Sequence, residues 1–131
     1  MSKENGWIGV DLDGTLAYYD EWKGVGIIGD PIPVMVQRVK QWLSEGKTVK
    51  IMTARVGGPD EAMNQAERQA VQDYTRQLFG QALEVTCKKN YEMEELWDDR
   101  AVRVVKNTGL VSDGSDVEDI PLEPGDIGAC I

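Results

Sequence analysis

Two carboxylates, Asp11 and Asp13, follow a short apolar run and are followed in turn by Gly14 and Thr15. On an extended segment the side chains at i and i+2 point the same way, so their negative charges repel each other unless a cation neutralises them. A hard divalent ion with oxygen ligands, most plausibly Mg²⁺, would do this. Gly14 lets the backbone turn sharply and approach a ligand closely. The same residues fit an Asp-Gly turn with a threonine cap, so the motif alone leaves both interpretations open.

Two further polar segments also follow apolar runs. Thr53-Ala54-Arg55 offers a hydroxyl, backbone N–H groups and a planar guanidinium that can hold phosphate oxygens, although a threonine that caps the next segment is the commoner arrangement. Lys88 and Lys89 follow the next run, and one ammonium group near several carboxylates would stabilise a phosphoryl group. A solvated pair of surface lysines is the alternative.

A second pair of acids, Asp98 and Asp99, lies directly behind Trp97. Adjacent acids bordered by apolar residues are costly to bury without a partner, and a metal ion or a lysine would remove that cost. As residues of a surface turn they would have no function. Each polar segment alone is modest evidence for a functional site, but each of them lies at the end of a predicted strand.

The elements that must position these residues are strands that alternate with helices. Such alternation predicts an α/β fold, specifically a Rossmann-like three-layer sandwich with a mostly parallel central sheet, right-handed crossovers and helices on both faces. Ligands of such sheets bind beyond the carboxyl ends of the strands, where the polar segments lie. The predicted strands are 7–10, 48–52, 83–87, a short stretch around Leu96-Trp97, and 102–105.

Two helices are predicted between these strands. The first opens at Pro31-Ile32-Pro33 and stops at Gly46. The second follows Gly57-Gly58-Pro59 and starts with Asp60 and Glu61, acids that suit a helix N-terminus. The apolar face is predicted to be Met35, Val39, Trp42 and Leu43 in the first helix, and Ala62, Ala66, Ala70, Tyr74 and Leu78 in the second.

Composition excludes several classes of function. The 131 residues predict one domain, and the absence of histidine excludes histidine-based catalysis and histidine-ligated metals. A net charge of −9 argues against broad binding of nucleic-acid backbones, but not against gripping one phosphate. Two cysteines make no disulfide framework, and no run is long enough to span a membrane, so a cytoplasmic protein is expected.

The acidic excess is concentrated at the C-terminus, where residues 107–131 carry six acids and no base. We therefore expect a catalytic domain over residues 1–109 and an acidic tail over residues 110–131. The tail is expected either to be solvated, to dock loosely on the domain, or to pack on a neighbouring subunit of a homo-oligomer.

In their order along the chain, these segments resemble the motifs of the haloacid dehalogenase-like (HAD) hydrolase superfamily. Val10 to Leu16 is similar to its first motif, Ile51 to Thr53 to its second, Lys89 to its third and Trp97 to Arg100 to its fourth. The resemblance covers residues 7–109, and the first motif is highly specific when the other three follow in order.

The resemblance implies a role for most of the polar residues. Asp11 would be the nucleophile that becomes an aspartyl phosphate, and Asp13 would protonate the leaving oxygen and then deprotonate the attacking water. Thr53 and Lys89 (or Lys88) would hold the transferring phosphoryl group. The further residues implied to contact the phosphate are Leu12, Gly14, Thr15, Ala54 and Arg55.

The resemblance also implies a Mg²⁺ site. The ion would be bound by the Asp11 carboxylate, the main-chain carbonyl of Asp13 and an acid of the fourth motif. Asp99 is the expected ligand, and Asp98 would then orient water or the lysine; the opposite assignment of these two acids remains open.

HAD enzymes that act on small metabolites usually carry a cap domain, and this chain has no room for one. Only a hairpin-sized flap, residues 17–31 with a turn at Gly24-Val25-Gly26, follows the first motif. The chain is therefore similar to the short capless HAD-like proteins of bacteria and phages. Water would be excluded by the flap through Tyr18, Tyr19 and Trp22, by a partner subunit, or by a large substrate; packing of these aromatics on the sheet edge is equally consistent.

The predicted function is hydrolysis of a phosphomonoester, with a small phosphorylated molecule such as a nucleotide, or a phosphorylated nucleic-acid end, as substrate. The negative net charge of the chain argues against a long nucleic acid as the substrate. A receiver-like signalling domain that accepts a phosphoryl group is an alternative, but its paired acids would follow the first strand. A binding module that keeps the fold without turnover is the third possibility.

Overall fold

The computed structural model describes residues 6–112, and the chain divides after Asp99 into two compact units. The first unit holds every helix and strand of this range. The boundary predicted after residue 109 remains a prediction, because residues 113–131 of the tail lie outside the described part of the chain. The elements are β1 (Trp7–Asp11), α1 (Pro33–Ser44), β2 (Thr48–Met52), a 3₁₀ turn (Ala54–Val56), α2 (Glu61–Phe79), β3 (Glu84–Thr86) and β4 (Met93–Trp97).

The strands form one sheet, and this confirms the predicted α/β class. Within residues 6–112, four parallel strands lie in the order β3-β2-β1-β4, flanked by two helices. Asp11 pairs with Met52, and Val10 pairs with Trp97. The chain segments that leave β1, β2 and β4 therefore emerge side by side at one edge of the sheet.

One predicted strand is absent. Residues 102–105 lie in the second unit, where Val104 makes only an isolated antiparallel bridge with Val111. A tight turn, in which the N–H of Val105 donates to the carbonyl of Leu110 at 2.8 Å, closes this segment on itself. The apolar pattern of 102–105 was correct for an extended backbone, but its partner is its own neighbour and not the sheet.

The core lies on one face of the sheet. Strand residues such as Val10 and Ile51 share a single buried cluster with Val39 of α1 and Val71 of α2. Both helices contribute to this cluster, and within residues 6–112 they flank the four-stranded parallel sheet, in agreement with the predicted α/β fold.

The opposite face is covered by side chains. Trp7 is buried there, its ring lies 4.7 Å from the ammonium group of Lys50, and its indole N–H donates to Asn90 at 2.8 Å. Gly9 provides the room for this, because a Cβ at that position would lie 3.1 Å from the Trp7 ring and 3.3 Å from Leu96. A bulky aromatic and a glycine thus fill a face that no described helix covers.

The predicted helix ends are confirmed. Pro33 lies in the first turn of α1, and Gly46 follows the helix with a φ of +80°, in the left-handed region. The Asp60 carboxylate caps α2 by accepting from the N–H groups of Ala62 and Met63 at 3.0 and 3.2 Å. Within residues 6–112, no helix is long and apolar enough to cross a lipid bilayer.

The buried face of α2 differs from the predicted one. Ala62 and Ala66 are exposed, whereas the buried stripe consists of Asn64, Glu67, Val71 and Thr75. Tyr74 and Leu78 of the predicted face do pack against the core, and the buried polar residues have partners inside the protein. The Asn64 amide, for example, donates to the carbonyl of Gly58 at 2.8 Å.

Thr75 allows a sharp test of this polar stripe. Its fully buried hydroxyl accepts from the N–H of Leu83 at 3.0 Å and donates to the carbonyl of Gln72 at 3.0 Å. We expect Thr75→Val, which keeps the shape, to lower the free energy of unfolding by about 1–3 kcal/mol, because the N–H of Leu83 loses its acceptor. Urea unfolding measures this. Thr75→Ser keeps the hydroxyl and should recover most of the loss of hydrogen bonding; equal losses in both variants would contradict this role.

Candidate functional site

Three acids meet where β1 and β4 end. Asp11 is the last residue of β1, and Asp98 and Asp99 directly follow β4. Each offers a carboxylate oxygen, and these oxygens all lie within 4.8 Å of one another. Because β1 and β4 are neighbours with Val10 opposite Trp97, the sheet register itself produces this group.

The three carboxylates are close enough for their negative charges to repel one another strongly. Burial raises the pKa of the Asp11 carboxyl to about 7, helped by a hydrogen bond with Asp99 and by the negative charges of Asp98 and Asp99. A hydrogen bond between two carboxyl groups requires a proton between them. That proton does what a cation would do, namely neutralise part of a crowded negative charge.

The donor set fits Mg²⁺ chemically. This ion prefers oxygen ligands, carboxylates above all, and three carboxylate oxygens within 4.8 Å of one another could hold it. Both Asp98 and Asp99 are in the group, so the choice between them as ligand remains a prediction.

The turn after β1 is shaped around Asp99. The Thr15 hydroxyl donates to an Asp99 carboxylate oxygen at 3.3 Å. Gly14 has a φ of +90°, and a Cβ there would lie 2.5 Å from the other Asp99 oxygen. The glycine of the first motif is therefore required both by its backbone conformation and by the closeness of an acid from β4.

The backbone amides of this turn are largely engaged within it. The N–H of Gly14 donates to the carbonyl of Ala17 at 2.8 Å, and the N–H of Thr15 donates to Leu12 at 3.3 Å. Leu12 is fully buried, and its backbone hydrogen bond to the Asp11 carboxylate acts to lower the pKa of that group. Phosphate contacts by Leu12, Gly14 and Thr15 remain predictions.

Asp13 does not join the three acids; it is bound by Arg55. The guanidinium Nε and Nη2 donate to the two Asp13 carboxylate oxygens, each at 2.8 Å. This bidentate ion pair raises the pKa of Arg55 further above its ordinary value. The side chain of Arg55 is 6% exposed and that of Asp13 is 22% exposed, so the pair is buried on the arginine side and open to water on the carboxylate side.

Thr53 and its neighbours lie at the end of β2, as predicted. Thr53 is buried, and its hydroxyl accepts from the N–H of Arg55 at 3.2 Å, which is the capping arrangement. Its own N–H donates to the carbonyl of Thr86 at 2.8 Å. Ala54 is exposed at the start of the 3₁₀ turn. Binding of phosphate by Thr53 and Ala54 stays a prediction.

The two lysines lie in the loop after β3. Lys88 and Lys89 are both exposed, and neither forms an ion pair with a carboxylate of residues 6–112. The structure thus gives no preference between them. Their approach to the acids, and a phosphate contact by Lys89, remain predictions.

A cleft of about 340 Å³ opens beside Asp13 and Arg55. The flap of residues 17–31 forms its other wall, with Tyr18 and Tyr19 facing it. The flap has the hairpin form predicted for it: Ala17 pairs with Pro31, the N–H of Tyr18 donates to Asp30 at 2.8 Å, and Gly24 to Ile27 form a turn. The predicted aromatic side chains are about half exposed and do not pack into the core.

Sequence reasoning missed Glu67. This α2 carboxylate is 3% exposed and accepts from Arg55 Nη1 at 3.2 Å and from the N–H of Gly26 at 2.8 Å. The available signal was an acid at helical spacing from Val71 and Thr75, since an acid inside a buried stripe requires a partner.

Comparison with known proteins adds no relative: no protein-family model, curated protein or solved structure matches this chain. What is shown is a small α/β domain with a four-stranded parallel sheet in the described residues. The function has to be argued from the site alone.

Proposed function

We propose that the chain is a Mg²⁺-dependent phosphomonoester hydrolase of the HAD-like type. The observation that supports this most is the group of Asp11, Asp98 and Asp99, gathered at the carboxyl end of a parallel sheet from segments more than 80 residues apart. Ligand sites of open α/β sheets lie at this edge. The order of the motifs along the chain is the second support.

In the proposed reaction, a carboxylate oxygen of Asp11 attacks the phosphorus of the substrate. The new O–P bond forms as the bond from phosphorus to the leaving oxygen breaks. Asp13 is ion-paired with Arg55 as a carboxylate, so in this scheme it first takes up a proton from solvent and then gives that proton to the leaving oxygen. Water then attacks the aspartyl phosphate, Asp13 takes the proton of the water, and inorganic phosphate leaves. Asp11 is thereby regenerated.

The cation has one task in this scheme. Mg²⁺ held by Asp11 and Asp99 or Asp98 would offset the repulsion between the nucleophile and the phosphate oxygens. Thr53 and Lys89 would bind those oxygens in the transition state, where the charge is spread over them.

The cleft beside Asp13 is the proposed place for the leaving group. Asp13 handles the proton of the leaving oxygen, and it lines this cleft together with Tyr18 and Tyr19. Two flat aromatic side chains suit an uncharged or planar group, and nucleotides are therefore the first substrates to try.

The test is an assay of the full chain with para-nitrophenyl phosphate, in Mg²⁺ and in EDTA. We expect turnover in Mg²⁺ and its loss in EDTA, and a panel of nucleotides, sugar phosphates and phosphorylated oligonucleotides then ranks the substrates. Stable phosphorylation by acetyl phosphate without turnover would identify a receiver-like domain instead. A folded chain that does neither would be a binding module.

A further inference from the structure

One buried guanidinium joins three segments that are far apart in sequence. Arg55 donates to both oxygens of Asp13 after β1, to Glu67 of α2, and to the backbone carbonyl of Ile27 in the flap at 2.9 Å. The ring of Trp22, also in the flap, lies 4.9 Å from the guanidinium carbon. Arg55 is thus the point at which the flap, the 3₁₀ turn and the first motif are connected.

Glu67 holds the same flap from the other side. Its carboxylate accepts from the N–H of Gly26 at 2.8 Å while it accepts from Arg55. The middle of the flap, from Trp22 to Ile27, is therefore attached to the domain through the Arg55–Glu67 pair. In the described residues, the flap is also held by backbone pairing at its ends, between Ala17 and Pro31 and between Tyr18 and Asp30, and by the Tyr74 hydroxyl, which donates to the carbonyl of Gly29 at 2.8 Å.

This arrangement leaves Arg55 little capacity for a ligand. A guanidinium has five N–H donors, and those of Nε and Nη2 are directed to Asp13 and Ile27, while Nη1 serves Glu67. A phosphate could accept two hydrogen bonds from Arg55 only if it displaced Asp13 or the carbonyl of Ile27 in the flap. Breaking a buried pair is expensive, because it leaves a charge without compensation.

We propose that Arg55 is a positioning residue: together with Glu67 it holds the flap closed over the cleft and fixes the carboxylate of Asp13 beside it. The flap and the proton-transferring acid then move as one unit, so that closure and orientation of Asp13 are coupled. The catalytic part of this role rests on the proposed function, whereas the attachment of the flap does not.

Limited proteolysis tests the attachment without any assay of activity. Lys23 lies in the flap and is exposed, so trypsin can cleave after it once the flap opens. In the full chain we expect this cleavage to be at least about tenfold faster in the double variant R55Q/E67Q than in the wild type, since two buried contacts of the flap are lost. The double variant leaves neither Arg55 nor Glu67 as an unpaired buried ion. Asp13 loses its partner but is 22% exposed, so water can solvate its charge, and circular dichroism checks that the variant is folded. Arg76→Gln, which removes an exposed ion pair of α2, is the matched control.

Kinetics separate positioning from direct binding of the phosphate. With para-nitrophenyl phosphate we expect R55Q/E67Q to lower kcat by about 10- to 100-fold, with a smaller change in KM, because orientation of Asp13 is lost. Glu67→Gln alone should give part of the effect, since its amide oxygen still accepts from Gly26.

Two results would overturn the proposal. Unchanged cleavage after Lys23 in the folded double variant would show that the pair does not hold the flap, and a raised KM at unchanged kcat would show that Arg55 grips substrate instead. If the wild type has no phosphatase activity, the proposed function fails, and proteolysis alone decides whether Arg55 and Glu67 hold the flap.

Discussion

Replacing Asp11 with Asn is expected to lower kcat for phosphomonoester hydrolysis by about 10⁴-fold or more. An amide has almost the shape of the carboxylate but cannot form the aspartyl phosphate, and loss of a group on which the whole mechanism depends has effects of this size. Initial rates with para-nitrophenyl phosphate in Mg²⁺ measure it. Acid quenching of the wild type during turnover should trap a protein-bound acyl phosphate that is stable in acid and releases phosphate in base, and the variant should lack it.

The matched control is Asp73→Asn. Asp73 lies on α2 and is about half exposed. Within the part of the chain that the structure describes, its partners are Gln69 and Arg76 of the same helix. The same chemical change there should leave kcat unchanged. Near-normal turnover by Asp11→Asn would contradict the nucleophilic role, and equal losses in both variants would point to a general effect on stability.

The strands and the site edge were predictable because their signals are local. Trp7 to Val10 and Thr48 to Met52 read as buried strands by composition, and both are present with the expected direction. Parallel pairing then sends the residue after each strand to one edge, so the meeting of Asp11 with Asp99 required no knowledge of side-chain contacts. The local sequence pattern and the topology of a parallel sheet were sufficient to predict the strands and the edge at which the acids meet.

The Arg55 network was not predictable in this way. The local sequence pattern predicted a phosphate contact for Arg55 and indicated no role for Glu67. What decides the matter is that Asp13, Ile27 and Glu67 come within reach of one guanidinium, at separations of 42, 28 and 12 residues. Contacts between such distant positions depend on the assembled fold.

The pairing of Val104 with Val111 is a second contact that the local sequence pattern could not predict. The run 102–105 has strand composition, but whether it joins the sheet depends on what the next residues do. Asn107 has a φ of +66° and Gly109 a φ of +76°, and these positive values turn the chain back on itself. The turn between Val105 and Leu110 pairs this run with residues of its own unit.

The raised pKa of Asp11 makes the stability of the metal-free protein depend on pH. The unfolded chain releases this proton near pH 4, whereas the folded protein holds it until about pH 7, so folding is disfavoured increasingly as the pH rises between these values. Above about pH 7 the full cost is present. Because the group is half-buried and partly screened by solvent, we expect the cost to be about 1–3 kcal/mol, below what the whole shift would give.

Asp11→Asn should therefore stabilise the metal-free protein, and by more at pH 8 than at pH 4.5. Urea unfolding in EDTA at both pH values measures the difference, and comparison with Asp73→Asn cancels the contribution of the other acids. Mg²⁺ at pH 8 should raise the Tm of the wild type and do much less for Asp11→Asn, because binding to the folded state stabilises it only where the ligand set is complete. A Tm that responds equally to Mg²⁺ in both proteins would show that Asp11 does not bind the ion, and a stability difference that is the same at both pH values would show that its proton is not retained on folding.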